Sequence, residues 1–234
     1  MSDNYYARKL NSERLKLAYD TAIPRVQQYL DAEINFVAGQ LAGRERLLEI
    51  GCGYGRILRA LAPKAWRAVG VDIAEESIAL AQDYLAGHPN VDLKVMDAHH
   101  LEFEGEFEAV VCLQNGLSAV KGDPHGLIKG VMKALVPGGR AYFSTYSPKF
   151  WETRLAWFQE QADKKLLGPI DYDQTGDGVI VGHDGFRGLT FSEKELDELG
   201  RASGGAHHIE EVDESSLFLI ITKPQGDLTP PAQP

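Results

Sequence analysis

The chain has 234 residues, 44% hydrophobic and 25% charged, with 34 acidic against 24 basic side chains and a formal net charge of −10. That composition suits one soluble globular domain with a sizeable core, and an acidic balance without a Lys/Arg-rich run argues against nucleic acid or an anionic membrane as the main partner. Cys52 and Cys112 give neither a disulfide framework nor a metal-ligand pair, no run approaches the ~18 apolar residues of a membrane span, and residues 1–6 lack the apolar core of a signal peptide, so a cytoplasmic setting without a metal is expected.

Residues 11–42 read as helical in two pieces. Leu15 and Tyr19 share a face in the first; Pro24 suits the first turn of the second, where Val26, Leu30, Ile34, Val37 and Leu41 recur three or four apart. A short apolar strand, Arg46 to Ile50, then runs into three alternate glycines, Gly51, Gly53 and Gly55, and on into the helical pattern of Ile57, Leu58 and Leu61. This is how an α/β sheet turns its first strand under a helix N-terminus. A dinucleotide fingerprint would require a third glycine at position 56, where this chain has Arg56.

The run Leu48-Glu49-Ile50-Gly51-Cys52-Gly53-Tyr54-Gly55 resembles the first motif of the class I S-adenosylmethionine (SAM)-dependent methyltransferases. The resemblance implies that Glu49, Gly51, Cys52, Gly53, Gly55 and Arg56 surround the methionine end of SAM. A carboxylate such as Glu49 suits an ammonium or sulfonium and would repel a pyrophosphate. It also implies that N-terminal helices cover the pocket, which makes Tyr5, Tyr6, Tyr19 and Arg25 candidates to line it. Ordinary packing is the competing reading for each of them.

The strand Ala68 to Asp72 ends in an acid 21 positions beyond Gly51. A carboxylate there can accept two hydrogen bonds from a ribose diol, and Val-Gly-Val-Asp-Ile matches the family at Asp72 and Ile73; capping of the helix that starts near Glu75 is the alternative. Val91, Leu93 and Val95 alternate as a third strand, after which the resemblance assigns Asp97 and the Ala98 amide to adenine. His99 and His100 follow on an extended segment, point opposite ways and have no Cys/His neighbours, so no zinc site is expected.

Phe107 to Leu113 is an apolar strand of the kind found mid-sheet. In the family, the loop after it faces the reactive methyl, so the Gln114 and Asn115 carboxamides become candidates to orient the acceptor. Asn-Gly is also a common turn pair, which leaves a purely local role open. A helix from Asp123-Pro124 with Leu127, Val131 and Leu135 leads through Pro137 to Arg140 into the strand Ala141 to Thr145.

Residues 146–191 are too long for a plain connection. A helix from Ser147-Pro148 carries the stripe Trp151, Leu155, Phe158, Ala162 and Leu166, and a hairpin flanks His183-Asp184-Gly185. Together they would form a lid that excludes water from a reaction in which a sulfonium loses its charge. Arg154, Trp157, Asp171, Tyr172, His183 and Phe186 lie off the stripe or in loops and are the candidates for acceptor contacts, with Tyr19 opposite. Ser192 to Glu195 is a capping box before a last helix. His207 to Val212 and Leu217 to Thr222 close the sheet, and residues 223–234, with four prolines, read as a loose tail.

The expected architecture is therefore one α/β domain over residues 1–222, with a seven-stranded, mostly parallel Rossmann-like sheet and helices on both faces. A helical cap (1–42) and an inserted lid (146–191) complete it. The expected activity is SAM-dependent methylation of a small molecule, an amine ahead of a hydroxyl or thiol, by a monomer or homodimer. A nicotinamide-dependent oxidoreductase and a SAM- or S-adenosylhomocysteine-binding module without turnover are the rivals.

Overall fold

A computed structural model describes Tyr5 and residues 9–226; Tyr6 and the end of the expected tail lie outside the described residues. Two helices come first, α1 (Ser12–Tyr19) and α2 (Pro24–Gln40), the second opened by Pro24 in its first turn. Strands β1 (Arg46–Ile50), β2 (Arg67–Asp72) and β3 (Val91–Val95) alternate with α3 (Arg56–Leu61) and α4 (Glu75–Tyr84). Then come β4 (Phe107–Cys112), the short α5 (Gly116–Ala119), α6 (Pro124–Ala134), β5 (Leu135–Tyr146), α7 (Trp151–Asp163), the small hairpin β6 (Ile180–Val181) and β7 (Arg187–Gly188), α8 (Glu193–Ala202), β8 (Ala206–Val212) and β9 (Ser216–Thr222).

The main sheet has seven strands in the order β3-β2-β1-β4-β5-β9-β8. The first five are parallel, and β9 is antiparallel to both β5 and β8. Chain order reverses between β1 and β4, which opens a crevice at the carboxyl ends of the parallel strands. Alternation along each strand sends Leu48, Ile50, Val110 and Phe143 to a core shared with α6 and α8, and Leu47, Ala68, Val111 and Tyr142 to a second core under α2, α3 and α4. Both faces of these strands are buried, which accounts for their continuous apolar runs.

A third apolar cluster stands at the end of the sheet and joins Val26, Tyr29 and Leu30 of α2 to Tyr146, Trp157, Phe158, Ile180 and Phe186. It sets the geometry of the segment between β5 and α8. Two expectations are corrected here. Strand β5 begins at Leu135, absorbing Pro137 to Arg140, because its register against β4 shifts between the Phe107–Leu135 and Ala109–Arg140 pairs, with the extra residues accommodated on β5. Helix α7 buries Arg154, Trp157 and Gln161 beside Phe158, the one stripe residue fully buried within the helix, while Trp151, Leu155 and Ala162 are only partly buried. Wedged between α2 and the hairpin, its orientation follows tertiary packing and not its own hydropathy. Ser192 caps α8 with the reciprocal Glu195 bond, as the sequence indicates.

Candidate functional site

One cleft runs along the carboxyl ends of β3, β2, β1, β4 and β5, roofed by α1 and α7. Its walls include Gly51, Asp72, Ile73, Asp97, Ala98 and Gln114 from the strand tips, Leu15 and Tyr19 from α1, and Tyr146, Trp157, Phe158 and Gln161 beyond β5. The glycine turn that begins it needs the left-handed backbone, with φ of +69° at Gly51 and +89° at Gly55.

The acids at the tips of β2 and β3 are held by nearby backbone. Asp72 accepts from the Gly53 amide at 2.9 Å and the Ala74 amide at 2.8 Å. Burial pushes its carboxyl above the usual range against the pull of those amides. Asp97 caps the turn after β3 by accepting from the His99 amide at 2.9 Å and lies 3.1 Å from His100 Nδ1. Burial works upward on Asp97, but the His99 amide and the His100 ring outweigh it and hold the carboxyl low. His99 lines the cleft, its Nε2 against the Lys121 carbonyl. Among the described residues no group of three metal-ligating side chains comes together.

Several assigned residues fall outside the walls. Glu49 is 2% exposed and points with Leu47 toward α2 and α3, where burial raises its carboxyl well above the usual range despite the Arg56 charge. It is not the exposed anion that the motif suggests. Arg56 lies over the Tyr19 ring at 4.8 Å and is not among the residues that line the cleft. Glu49 Oε2 and Arg56 Nε and Nη2 are buried without a hydrogen-bond partner. Cys52 turns into the core, Gly55 meets Leu85, and a Cβ on Gly53 would stand 2.7 Å from Leu15. All of these support the turn, and α1 seals it.

On the β4 side, Gln114 and Asn115 both take left-handed backbone, with φ of +55° and +61°. They then diverge. Gln114 faces the cleft with Nε2 buried and unpartnered. Asn115 faces inward: its Nδ2 donates to the Leu189 carbonyl at 2.7 Å and its Oδ1 accepts from Thr145 at 2.9 Å, so both ends of the carboxamide are engaged in tying the hairpin segment to β5. That corrects its assignment as an acceptor ligand.

Of the proposed acceptor contacts, Tyr19 and Trp157 line the cleft, and Trp157 Nε1 donates to the Ala18 carbonyl at 3.0 Å. Arg154 is 1% exposed, donates to the Gly178 and Gly188 carbonyls and stacks over Tyr146 at 4.4 Å, which makes it a brace behind the wall. Phe186 is in the third core, and His183 is an exposed loop residue 3.7 Å from Asp171. These three are removed from the acceptor set because packing or solvent occupies them.

One buried acid escaped the sequence reading. Glu33 of α2 is fully buried and accepts from Gln114 N at 2.8 Å, Ser144 Oγ at 2.9 Å and Ser216 Oγ at 2.6 Å. Burial pushes its carboxyl up to about 7, with those three bonds and the Arg56 charge opposing. The signal was present: Glu33 lies between Leu30 and Val37 at helical spacing, on the apolar face of α2.

With this geometry in hand, the resemblance can be tested against known proteins. The methyltransferase domain family matches residues 47–139, from β1 into the start of β5. A ubiquinone biosynthesis O-methyltransferase of Idiomarina loihiensis is 28% identical over 65% of this chain and 71% of its own length. One from Pseudomonas fluorescens is 34% identical over 45% of each, and the chain spans about half the length of most such curated relatives. A SAM-dependent methyltransferase structure from Methanosarcina mazei, 25% identical, covers 82% of this chain and 98% of its own at a TM-score of 0.60. These matches support a class I SAM-dependent methyltransferase.

This methyltransferase has a cleft that fits the cofactor of its class. The acceptor oxygens of Asp72 and Asp97 stand at neighbouring strand tips, the glycine turn leaves Gly51 open, and the buried carboxamide nitrogen of Gln114 has no partner of its own. Arg56 stands where a dinucleotide fingerprint has its third glycine, and together with the methyltransferase matches that speaks against the oxidoreductase reading.

Proposed function

We propose that this enzyme methylates a nitrogen of a small, largely apolar acceptor bound at the β4–β5 end of the cleft. The reading is carried by the character of that end. Tyr19, Tyr146, Trp157 and Phe158 form its walls, with Gln114 and Gln161 as polar groups. The acids and His99 belong to the β2 and β3 tips, at the other end of the row. Asp97 and the Ala98 amide would take adenine, Asp72 the ribose diol and the Gly51 turn the methionine end. SAM, when bound, supplies a sulfonium methyl open to in-line displacement.

The chain's own work is then to hold, orient and desolvate. Exclusion of water at that end favours the neutral, nucleophilic form of an amine, which needs no residue to deprotonate it before attack, while the aromatic faces can hold the ammonium formed on methyl transfer until it loses its proton to solvent. The Gln114 carboxamide can accept from an amine N–H and aim the lone pair at the methyl. Trp157 and Phe158, anchored against α1 and the hairpin, exclude water as a lid would.

A second reading, transfer to oxygen, is supported by those curated relatives that are named ubiquinone biosynthesis O-methyltransferases. Loss of Asn115 from the acceptor set also weakens the amine argument, which leaned on two carboxamides. The deciding experiment is a single-turnover assay with isotopically labelled SAM over a metabolite mixture, with the product's methylated atom assigned by mass spectrometry and NMR. A label on nitrogen supports the first reading and a label on oxygen the second. SAM binding without transfer to any component would leave a cofactor-binding module.

A further inference from the structure

We infer that Glu33 is a positioning residue of the cleft: from α2 it fixes the tip of β4 and thereby aims the Gln114 carboxamide at the place where acceptor meets donor. The inference rests on the SAM reading of the cleft, but its geometry stands alone. The Gln114 amide donates to Glu33 Oε2 and to Ser144 Oγ, each at 2.8 Å, while Ser144 Oγ donates onward to the same carboxyl oxygen at 2.9 Å. The second oxygen, Oε1, takes the Ser216 hydroxyl at 2.6 Å. One side chain therefore gathers the ends of three strands, β4, β5 and β9.

Two features indicate that this arrangement serves Gln114 and is not mere packing. First, Gln114 and Asn115 are consecutive non-glycine residues at positive φ. Such backbone costs about 1 kcal/mol or more per residue and persists only where the surroundings over-determine it. Asn115 is pinned by its own side chain, whereas Gln114 is pinned through its backbone by Glu33 and Ser144, which leaves its side chain unbonded and facing the cleft. Second, all three groups approaching Glu33 are donors, and a side chain with two acceptor oxygens is the natural centre for them. Glutamine keeps one such oxygen. It can serve Gln114 and Ser144 while the Ser216 hydroxyl rotates to accept. Alanine keeps none.

The charged and titratable groups around Glu33 are Arg56 from α3, Tyr29 from its own helix and Cys112 from β4. None of them bonds Gln114, so among the ionisable groups here only the Glu33 carboxyl holds it, together with the Ser144 hydroxyl.

The test uses two probes, S-adenosylhomocysteine and sinefungin, a SAM analogue with an amine-bearing carbon where the methyl-bearing sulfur would be. The ratio of their affinities reads the space in front of Gln114 and cancels what they share. By calorimetry, Gln114→Ala and Glu33→Ala should each lower the sinefungin preference about tenfold, with the double variant no lower than either single one, as coupled residues require. Glu33→Gln should restore the ratio to within about twofold of the parent. An unchanged ratio in Glu33→Ala or Gln114→Ala, an additive double variant, or a Glu33→Gln protein as impaired as Glu33→Ala would overturn the inference.

Should Glu33→Ala fail to fold, Ser144→Ala removes one of the two acceptors of the Gln114 amide at small volume and should lower the ratio about threefold; no change there counts against it. Should the parent bind neither probe, the SAM reading fails, and hydrogen exchange decides Glu33 separately. The Gln114 amide should then exchange slowly in the parent and in Glu33→Gln and at least about tenfold faster in Glu33→Ala; equal rates would overturn the inference.

Discussion

The β1–β3 half of the cleft and the β4–β5 half are built by different means. In the first half each strand-tip acid is held by backbone amides: Asp97 by one two residues on, Asp72 by amides two and nineteen residues away. In the second half the bonds span the molecule. Gln114 is tied to Glu33 across 81 positions, Asn115 to Leu189 across 74, and Trp157 to Ala18 across 139. A contiguous motif can specify the first half whatever surrounds it. The second half exists only when α1, α2, α7 and the hairpin have all docked, so its chemistry is a property of the tertiary structure.

The sharpest way to test this division is to damage one half and measure the other. Asp72→Ala should weaken S-adenosylhomocysteine binding by about 100-fold, through loss of charge-assisted hydrogen bonds and of the Gly53 and Ala74 anchors. Calorimetry together with an unchanged circular dichroism spectrum would check this, and affinity within threefold of the parent would remove Asp72 from the ribose. Asn115→Ala should do the reverse. It leaves the Leu189 carbonyl and the Thr145 hydroxyl without their partner, so denaturant unfolding should show a loss of about 2 kcal/mol while cofactor affinity holds.

A smaller effect separates the two halves by pH. Glu33 has its carboxyl raised from 4.5 to about 7, so between those values the native state binds more protons than the unfolded chain. Its contribution to stability is therefore fully present below pH 4.5 and is lost as pH rises through 7. Glu33→Gln should remove that component. The melting temperature of the variant, measured against the parent, should gain on it by a few degrees between pH 5 and pH 8. A constant difference across that range would contradict the burial of the acid. The smallest effect belongs to His183→Ala: an exposed loop side chain outside the cleft should shift stability by no more than about 0.5 kcal/mol and leave cofactor affinity unchanged.

The same division explains what the sequence could and could not tell. Alternating apolar strands, the glycine turn, Pro24 and Pro124 in first turns and the Ser192 capping box are local signals, and the sheet they imply is the sheet observed. Asp72, Asp97 and Gln114 were legible because their place at a strand tip follows from strand length. Glu49 misled because a strand residue just short of the tip has its face decided by alternation, and alternation sends it under α3. Arg154 and Phe186 misled because polarity and loop position were read as exposure. Yet Arg154 escapes water by stacking on Tyr146 and bonding two carbonyls, and Phe186 fills a core that exists only once the hairpin closes. Glu33 was readable in principle, as an acid on an otherwise apolar helical face, where a buried partner network is the physical way to accommodate it.

The contact between Leu15 and Gly53 has a consequence for how ligands come and go. A methyl-sized group added at Gly53, already at φ +51°, would stand 2.7 Å from the Leu15 Cδ2 and push that side chain of α1 away from the turn. Gly53→Ala would then act as a doorstop, in a protein whose own glycine lets the door shut on a hydrophobic latch. An adenosyl ligand seated at the turn would lie against that latch, so Gly53→Ala should alter the release rate of S-adenosylhomocysteine, measured by stopped flow.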